Sequence, residues 1–556
     1  MNSSNLLNQR CLDWLPIGIL LSAALLMIYP VILAPTTTVI GWLGDNVLYT
    51  YEAGWIAEAL RTFHSPFLDP KINPPYGLQL MAGDIPYAGY ILVAPLTWMF
   101  GPTFGYNAHL FLTNVLSGLF AYLWVRQLSN SRAAGLVAGL SFMLSPYRLA
   151  HSYGHANLVS TYPFPLFFWA LDNAIRERPA LKTLILLSGA TFLLGTASQY
   201  YLVIGLCCGM TYAVLTMFVR RVRLASGVWS SAVAVFVGAS IAAMPHLLTA
   251  SSGVYRAYST SSTRMWSASP MNFVVPSHLH PIWGSVIEQL RPETLWVEKT
   301  LYLGIVSGLL ALMAIHRFDR SLVWVGTAVT AAMLALGTDL HTGNVPVQPE
   351  RPFWLPAYYL HQLPGINLMR IWSRFGIVTI LFISLLAGIG VASLLQTVKK
   401  KSYYFLIAGL VIILVIVDFL PGRLEHAQLE PRPIDHWLAE QSFTGAVGFW
   451  PIVNDTANYF ILFGRLTHHK PTFAFLHPEH VDPSFRAFTD LFGNFPSDSS
   501  VASLRALGIQ YLILERERFD GRHAVEWPVV TTWLNNTTTA SVVREIDGFV
   551  VIELKQ

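Results

Sequence analysis

IPYAGYILVAPLTWMFG, residues 85–101, is the stretch whose reading decides how this chain is threaded. It is apolar enough to enter a membrane, yet it is short for a span and contains Pro86 and Pro95. Proline removes a helix donor and disturbs the turn before it. If this stretch crosses the bilayer, every loop after it changes side; if it lies in the interface, none does. The loops themselves decide between the two.

The chain has 556 residues, 53% hydrophobic and only 12% charged. That balance excludes an ordinary soluble protein and fits a polytopic membrane protein. Besides 85–101, eleven apolar runs have the character of spans: about 14–34, 104–125, 133–147, 157–175, 181–198, 199–219, 227–248, 300–315, 321–337, 373–396 and 402–420. Between them lie short basic loops, RQLSNSR (126–132), RERPALK (176–182), RRVR (220–223), HRFDR (316–320) and KKK (399–401), and Arg10 precedes the first run. Short basic loops stay in the cytoplasm. They all share that side only if 85–101 does not cross. The expected fold is therefore a polytopic α-helical membrane protein of the plasma membrane, with about 11 transmembrane helices, N-terminus in and C-terminus out.

The long loop 35–103, the segment 148–156, the loops 249–299 and 338–372 and the tail then face outward. The tail is acidic: residues 423–556 hold 11 Lys or Arg against 16 Asp or Glu, while the remainder holds 24 against 15. After Pro421-Gly422 the apolar runs shorten to strand length in GAVGFWPIV, YLILE and VVREIDGFVVIEL, and Asp547-Gly548 is a hairpin signal. Two domains are expected, a membrane domain over 1–421 and a small extracytoplasmic α/β domain over 422–556. Cys11, Cys207 and Cys208 make neither a disulfide framework nor a zinc pattern, and no basic, aromatic-interleaved patch points to nucleic acid.

A transporter needs ionisable groups in mid-span. His109 lies inside a run, whereas Asp172, His246 and Asp418 lie near run ends, so chemistry concentrates in the outward loops. A transporter or lipid flippase of apolar cargo, and a non-catalytic scaffold whose outer domain binds a partner, are the alternatives to an enzyme. In GWLGDNVLYTYEAGWIAEAL (41–60), Leu48, Tyr51, Trp55, Ile56, Ala59 and Leu60 have helical spacing, which predicts an amphipathic interfacial helix over 46–62. Asp45 reads as its N-cap or as a functional carboxylate, and Glu52 as a solvated charge on the helix face or a secondary candidate. Asp84, which closes the loop before 85–101, is a further secondary candidate.

The order of motifs carries a resemblance. A first span is followed by a long outer loop with an early Asp and the turns SPF and PPYG. Then come an interfacial segment ending in MFG, RQLSNSRAAGL, and a span ending in LSPYRLAHSYGHANL. This layout, over about residues 14–225, resembles the C-type (GT-C) integral-membrane glycosyltransferases of the aminoarabinose and mannosyl transferase type, with echoes in LMRIWSRFGIVTI and LRALGIQYLIL. The resemblance implies transfer of a sugar from a polyprenyl-phosphate donor to a lipid, glycan or protein acceptor on the outer face, with Asp45 as the catalytic carboxylate. Many family members carry another acidic residue in the second outer loop, where this chain has His151 and His155. At i and i+4 on a helix the two rings could ligate a divalent metal or contact phosphate; with no third ligand in view, hydrogen-bonded interfacial aromatics are the plainer reading, and no cofactor is certain. Arg370 and Arg374, four apart, read as snorkelling anchors or as a fork for the lipid phosphate. Tyr255, Arg256, Arg264 and Trp266 suggest a substrate loop, with interface anchoring as the alternative.

Overall fold

The computed structural model describes residues 3–175, 179–221, 226–250, 257–290, 296–343, 345–347, 355–422, 424–452, 455–476, 482–493, 495–519 and 526–555. Every one of the eleven apolar runs contains a helix. Among the described residues five helices are long and apolar enough to cross a membrane by length and composition: Pro102–Ser129, Gln199–Arg220, Gly227–Leu248, Ser373–Gln396 and Lys401–Asp418. The first run begins within the 25-residue helix Ser3–Met27, and in other runs local chemistry cuts the helix short. Arg132–Met143 stops ahead of Ser145-Pro146, where the extended backbone of Ser145 suits a residue that precedes proline. A new helix, Pro163–Ala174, starts on a proline, whose missing N–H costs nothing at that position. Tyr87–Phe100, inside the deciding stretch, has 14 residues with Pro95 within it. At about 1.5 Å per residue it is shorter than the roughly 30 Å hydrocarbon core.

Two compact units emerge from the contacts. The first comprises residues 1–34, 86–89 and 107–426. Its centre is the helix Gly376–Gln396, buried along almost its whole length and packed against Arg132–Met143, Ile305–Ile315 and Ser321–Ala335. Such close packing needs small residues: a side chain at Gly390 would run into the carbonyl of Leu310. Trp124, Trp324 and Phe382 interlock beside it, with ring centroids 5.2 and 6.3 Å from Trp124. At one end of this unit Asp172 is ion-paired with Arg220, at 3.1 Å, and with Arg320. Two of the basic loops thereby meet on a single carboxylate. Elsewhere in the unit the buried Arg148 donates to the carbonyls of Met143 and Val159 at 3.2 and 2.7 Å, to Ser117 Oγ at 2.8 Å, and to Thr161 and Asn114. It thus holds the short helix Pro146–His151 in place.

The second unit comprises residues 35–85, 90–106 and 427–556. The expected boundary at 421/422 therefore follows the chain but not the contacts, because most of the first long loop packs in the same unit as the tail. The tail contains the strands β1 (Ala446–Trp450), β2 (Ile509–Glu515), β3 (Ala540–Ile546) and β4 (Phe549–Leu554) in one mixed sheet of order β1-β2-β4-β3. β1 and β2 are parallel, whereas β4 runs antiparallel to both of its neighbours. The β3–β4 hairpin turns at Asp547 and Gly548, whose φ values of 45° and 81° are the positive pair that a two-residue turn requires. Phe488, Leu504, Leu512 and Ile552 fill the core beneath the sheet.

Loop and tail are joined by buried polar contacts. Arg465, fully buried on the helix Asp455–His468, donates to Glu58 Oε2 at 2.6 Å and Asp69 Oδ1 at 3.0 Å, and its guanidinium lies 4.9 Å from the Trp55 ring centroid. Tyr51 donates to the other oxygen of Asp69 at 2.9 Å. Asn73 accepts from the Ala474 N–H at 2.9 Å and donates to Asp482. These contacts fix the helix that starts at Asp45.

Candidate functional site

The second unit holds the acidic candidates. The helix predicted over 46–62 runs from Asp45 to Thr62, and its N-cap is Gly44, with no side-chain cap hydrogen bond. Asp45 is therefore the first helical residue and not the cap. The turn is organised by its neighbour instead: Asn46 Oδ1 accepts from the Gly44 N–H, and its Nδ2 donates to the carbonyls of Ile40 and Trp42, all at 2.9 Å. Asp45 itself is exposed, with its carboxylate at the positive end of the helix dipole.

The helix is also not the one-sided interfacial element expected, since every residue from Asn46 to Ala57 is buried, polar ones included. Glu52 shows the consequence. Read as a solvated charge, it is only 2% exposed, and its Oε2 has no hydrogen-bond partner among the described residues. Burial, reinforced by the nearby carboxylates of Asp84 and Asp45, holds its carboxyl well above the ordinary range. Seven residues, close to two helical turns, separate Asp45 from Glu52, which puts both on the same face. Asp84 is half-buried, and its carbonyl accepts from the Tyr49 hydroxyl at 3.4 Å.

A different cluster lies in the first unit. His151 ends the helix Pro146–His151 and His155 caps the next one, Ala156–Val159, so the pair does not sit on a single helix as the spacing suggested. The rings still meet, Nδ1 to Nδ1, at 3.3 Å. The missing third ligand comes from far along the chain. Glu298 Oε2 is 3.9 Å from His151 Nε2, and the two histidines and Glu298 offer one donor atom each within 4.8 Å of one another. Spacing near His151 could not reveal Glu298; its only signal was an acid in the short segment WVEK between apolar runs.

Glu298 has a partner already. Arg374 Nε and Nη2 donate to its two oxygens at 3.0 and 2.6 Å, a two-pronged pair that is buried on both sides. Burial alone would raise the Glu298 carboxyl, but Arg374 and His151 outweigh it and hold the group at about 2. His151 is fully buried, and burial holds its imidazole neutral, well below the usual value, against the pull of Glu298. Arg374 also lies over the Tyr200 ring, 4.3 Å from its centroid.

Arg370 does not share a helical face with Arg374, because the chain is irregular until the short turn Ser373–Phe375. Its guanidinium lies 5.6 and 5.1 Å from the ring centroids of Tyr258 and Trp266, and its Nε has no hydrogen-bond partner among the described residues. The structure thus brings Trp266 to Arg370. Arg264 instead pairs with the buried Asp339 at 3.1 Å. Tyr255 and Arg256 lie outside the described residues.

A model of the family described as a domain of unknown function, DUF6311, matches residues 17–346. No curated protein matches by sequence. Among solved structures, the arabinofuranosyltransferase AftD from Mycobacteria is similar over 97% of this chain, with 12% identity and a TM-score of 0.55; this chain spans 40% of that one. ArnT from Cupriavidus metallidurans, solved in the apo state, is similar over 98% of both chains with 11% identity and a TM-score of 0.51. ArnT bound to undecaprenyl phosphate is similar over 97% of both, with 11% identity and a TM-score of 0.50. The fold is therefore that of the GT-C glycosyltransferases.

Proposed function

The chain belongs to the DUF6311 family, and we propose that it is a GT-C glycosyltransferase that moves a sugar from a polyprenyl-phosphate donor to a lipid, glycan or protein acceptor at the outer face of the plasma membrane. The observation that carries this reading is the likeness to ArnT over nearly the whole length of both chains, with ArnT itself solved bound to undecaprenyl phosphate. The outward placement of the site, with about eleven crossings and an extracytoplasmic tail, rests on the basic loops alone.

In this reading Asp45 is the general base. It is exposed at a helix start that Asn46 shapes and that Arg465 anchors from the tail. Its carboxylate takes the proton of the acceptor hydroxyl or amine as the new bond to the sugar's anomeric carbon forms. The bond from that carbon to the phosphate oxygen breaks, and the lipid phosphate departs with the electron pair. One carboxylate suffices for such a transfer with inversion, because phosphate is a good leaving group. Negative charge grows on the phosphate as it leaves, and a fixed cation there lowers the barrier. In the first unit, Arg370 is the candidate cation for a lipid phosphate. Its guanidinium is supported on two aromatic rings and is not neutralised by a carboxylate among the described residues.

The test is chemical. Mass spectrometry of lipid-linked sugars and envelope glycans, with and without the gene, should show an accumulated donor or a missing sugar. Asp45→Asn should lower transfer by at least about a hundredfold at unchanged expression, the usual scale for losing a general base. Full activity of Asp45→Asn with an identified donor would refute the mechanism.

A further inference from the structure

We propose that His151, His155 and Glu298 form a seat for a divalent cation of the zinc type, and that the Arg374 guanidinium is a built-in competitor for it. The inference stands apart from glycosyl transfer, because it concerns binding and is read without any sugar.

The donor set argues for the ion. A zinc ion takes nitrogen and carboxylate donors at about 2.0–2.2 Å, which places neighbouring donors on one ion roughly 3.4 Å apart. The three donors here already lie within 4.8 Å of one another. His151 Nε2 is fully buried, 3.9 Å from Glu298 Oε2, and makes no hydrogen bond among the described residues. A buried ring nitrogen without a partner, aimed at a carboxylate, is half of a ligand pair. Two imidazoles and one carboxylate suit zinc or cobalt; magnesium and calcium demand an oxygen-rich cage. Three protein ligands leave a fourth position open.

Arg374 argues for competition. Both oxygens of Glu298 accept from its fork, at 3.0 and 2.6 Å, so the charge that would hold a dication is already engaged by a monocation. A dication and a guanidinium cannot share one buried carboxylate without strong repulsion. Metal entry must therefore draw Arg374 off Glu298. The displaced guanidinium has a ready second support, the Tyr200 ring 4.3 Å away. Linkage makes the exchange reciprocal: an anion that pulls Arg374 toward itself, such as inorganic phosphate, must tighten the metal by the same factor by which the metal tightens the anion.

The full-length protein in detergent micelles, titrated with Zn²⁺ by calorimetry and with Co²⁺ by its visible absorption, tests this. Arg374→Gln should bind either ion at least tenfold more tightly than the unaltered chain, and Arg374→Lys, which keeps the charge but loses the fork, should fall between them. Adding His151→Ala or Glu298→Gln to Arg374→Gln should abolish binding. Millimolar phosphate should tighten the ion in the unaltered chain and leave Arg374→Gln unchanged. Thermal unfolding verifies each variant; should Arg374→Gln not fold, Arg374→Lys and the phosphate arm carry the same comparison. Equal affinity with and without the Arg374 fork, no effect of phosphate, or binding that survives both ligand substitutions would overturn the proposal.

Discussion

Glu52 and Glu298 are equally hidden, 2% and 4% exposed, yet the structure shifts their carboxyls in opposite directions. Around Glu52 the nearest charged influences are the carboxylates Asp84 and Asp45, and its carboxyl is held well above the ordinary range. Around Glu298 a guanidinium closes on both oxygens, and the carboxyl is held at about 2 despite the same desolvation. Burial sets the penalty for charge, but the partner decides whether the group meets it or keeps its proton. In one unit the acid is pushed toward its protonated form; in the other it is an anion locked into a cationic fork.

The largest effect comes from breaking the paired side of this comparison. Glu298→Gln removes the anion and leaves Arg374 buried without a counter-charge, an imbalance that costs about 3–5 kcal/mol. A marked fall in the midpoint of thermal unfolding is expected. Glu298→Gln combined with Arg374→Gln removes both charges, so it should recover much of that loss. If the double variant is as unstable as the single one, the pair does not act as a charge pair.

Arg465 is a second fork of the same kind in the unit that contains Glu52, and there it serves two carboxylates. Arg465→Met leaves Asp69, fully buried, with only Tyr51 and the Lys71 N–H as hydrogen-bond donors to its side chain among the described residues. It should destabilise that unit by a similar or somewhat smaller amount, about 3 kcal/mol. Glu58→Gln should cost less, since the Glu58 side chain is 23% exposed and water compensates it. Tryptophan fluorescence during unfolding, compared among the three proteins, orders them. Arg465→Met as stable as the unaltered chain would show that hydrophobic contacts alone hold the helix Asp45–Thr62 to the tail.

Legibility of these features in the sequence followed the range of the forces behind them. The hairpin at Asp547-Gly548, the strands of the tail and the helix after Gly44 were readable, because turn chemistry and apolar spacing act over a few residues. The motif order around LSPYRLAHSYGHANL also pointed to the GT-C fold. Asp45 was misplaced by one position, because Asn46 beside it can shape the same turn and does so with three hydrogen bonds. Glu52 was misjudged more seriously. Its helix has an apolar stripe that implies one wet face, but buried packing reaches the polar positions as well, and nothing local encodes that. Glu298 was missed because its meaning lies in His151 and Arg374, which only the fold brings to it.

The smallest effect, and the sharpest on Glu52, is a dependence on pH. A carboxyl whose folded value is raised binds its proton more tightly in the folded than in the unfolded chain. Its contribution to stability is therefore complete below the ordinary carboxylate range and is lost as pH rises toward the folded value, by at most about 1.4 kcal/mol per pH unit. Glu52→Gln keeps the shape and the neutral state but has no proton to lose. The variant and the unaltered chain should unfold at similar temperatures near pH 4, and the variant should gain steadily as the pH is raised to 8. A difference that shrinks with rising pH would mean that Glu52 is ionised in the folded chain, stabilised by a cation, and the contrast with Glu298 would disappear.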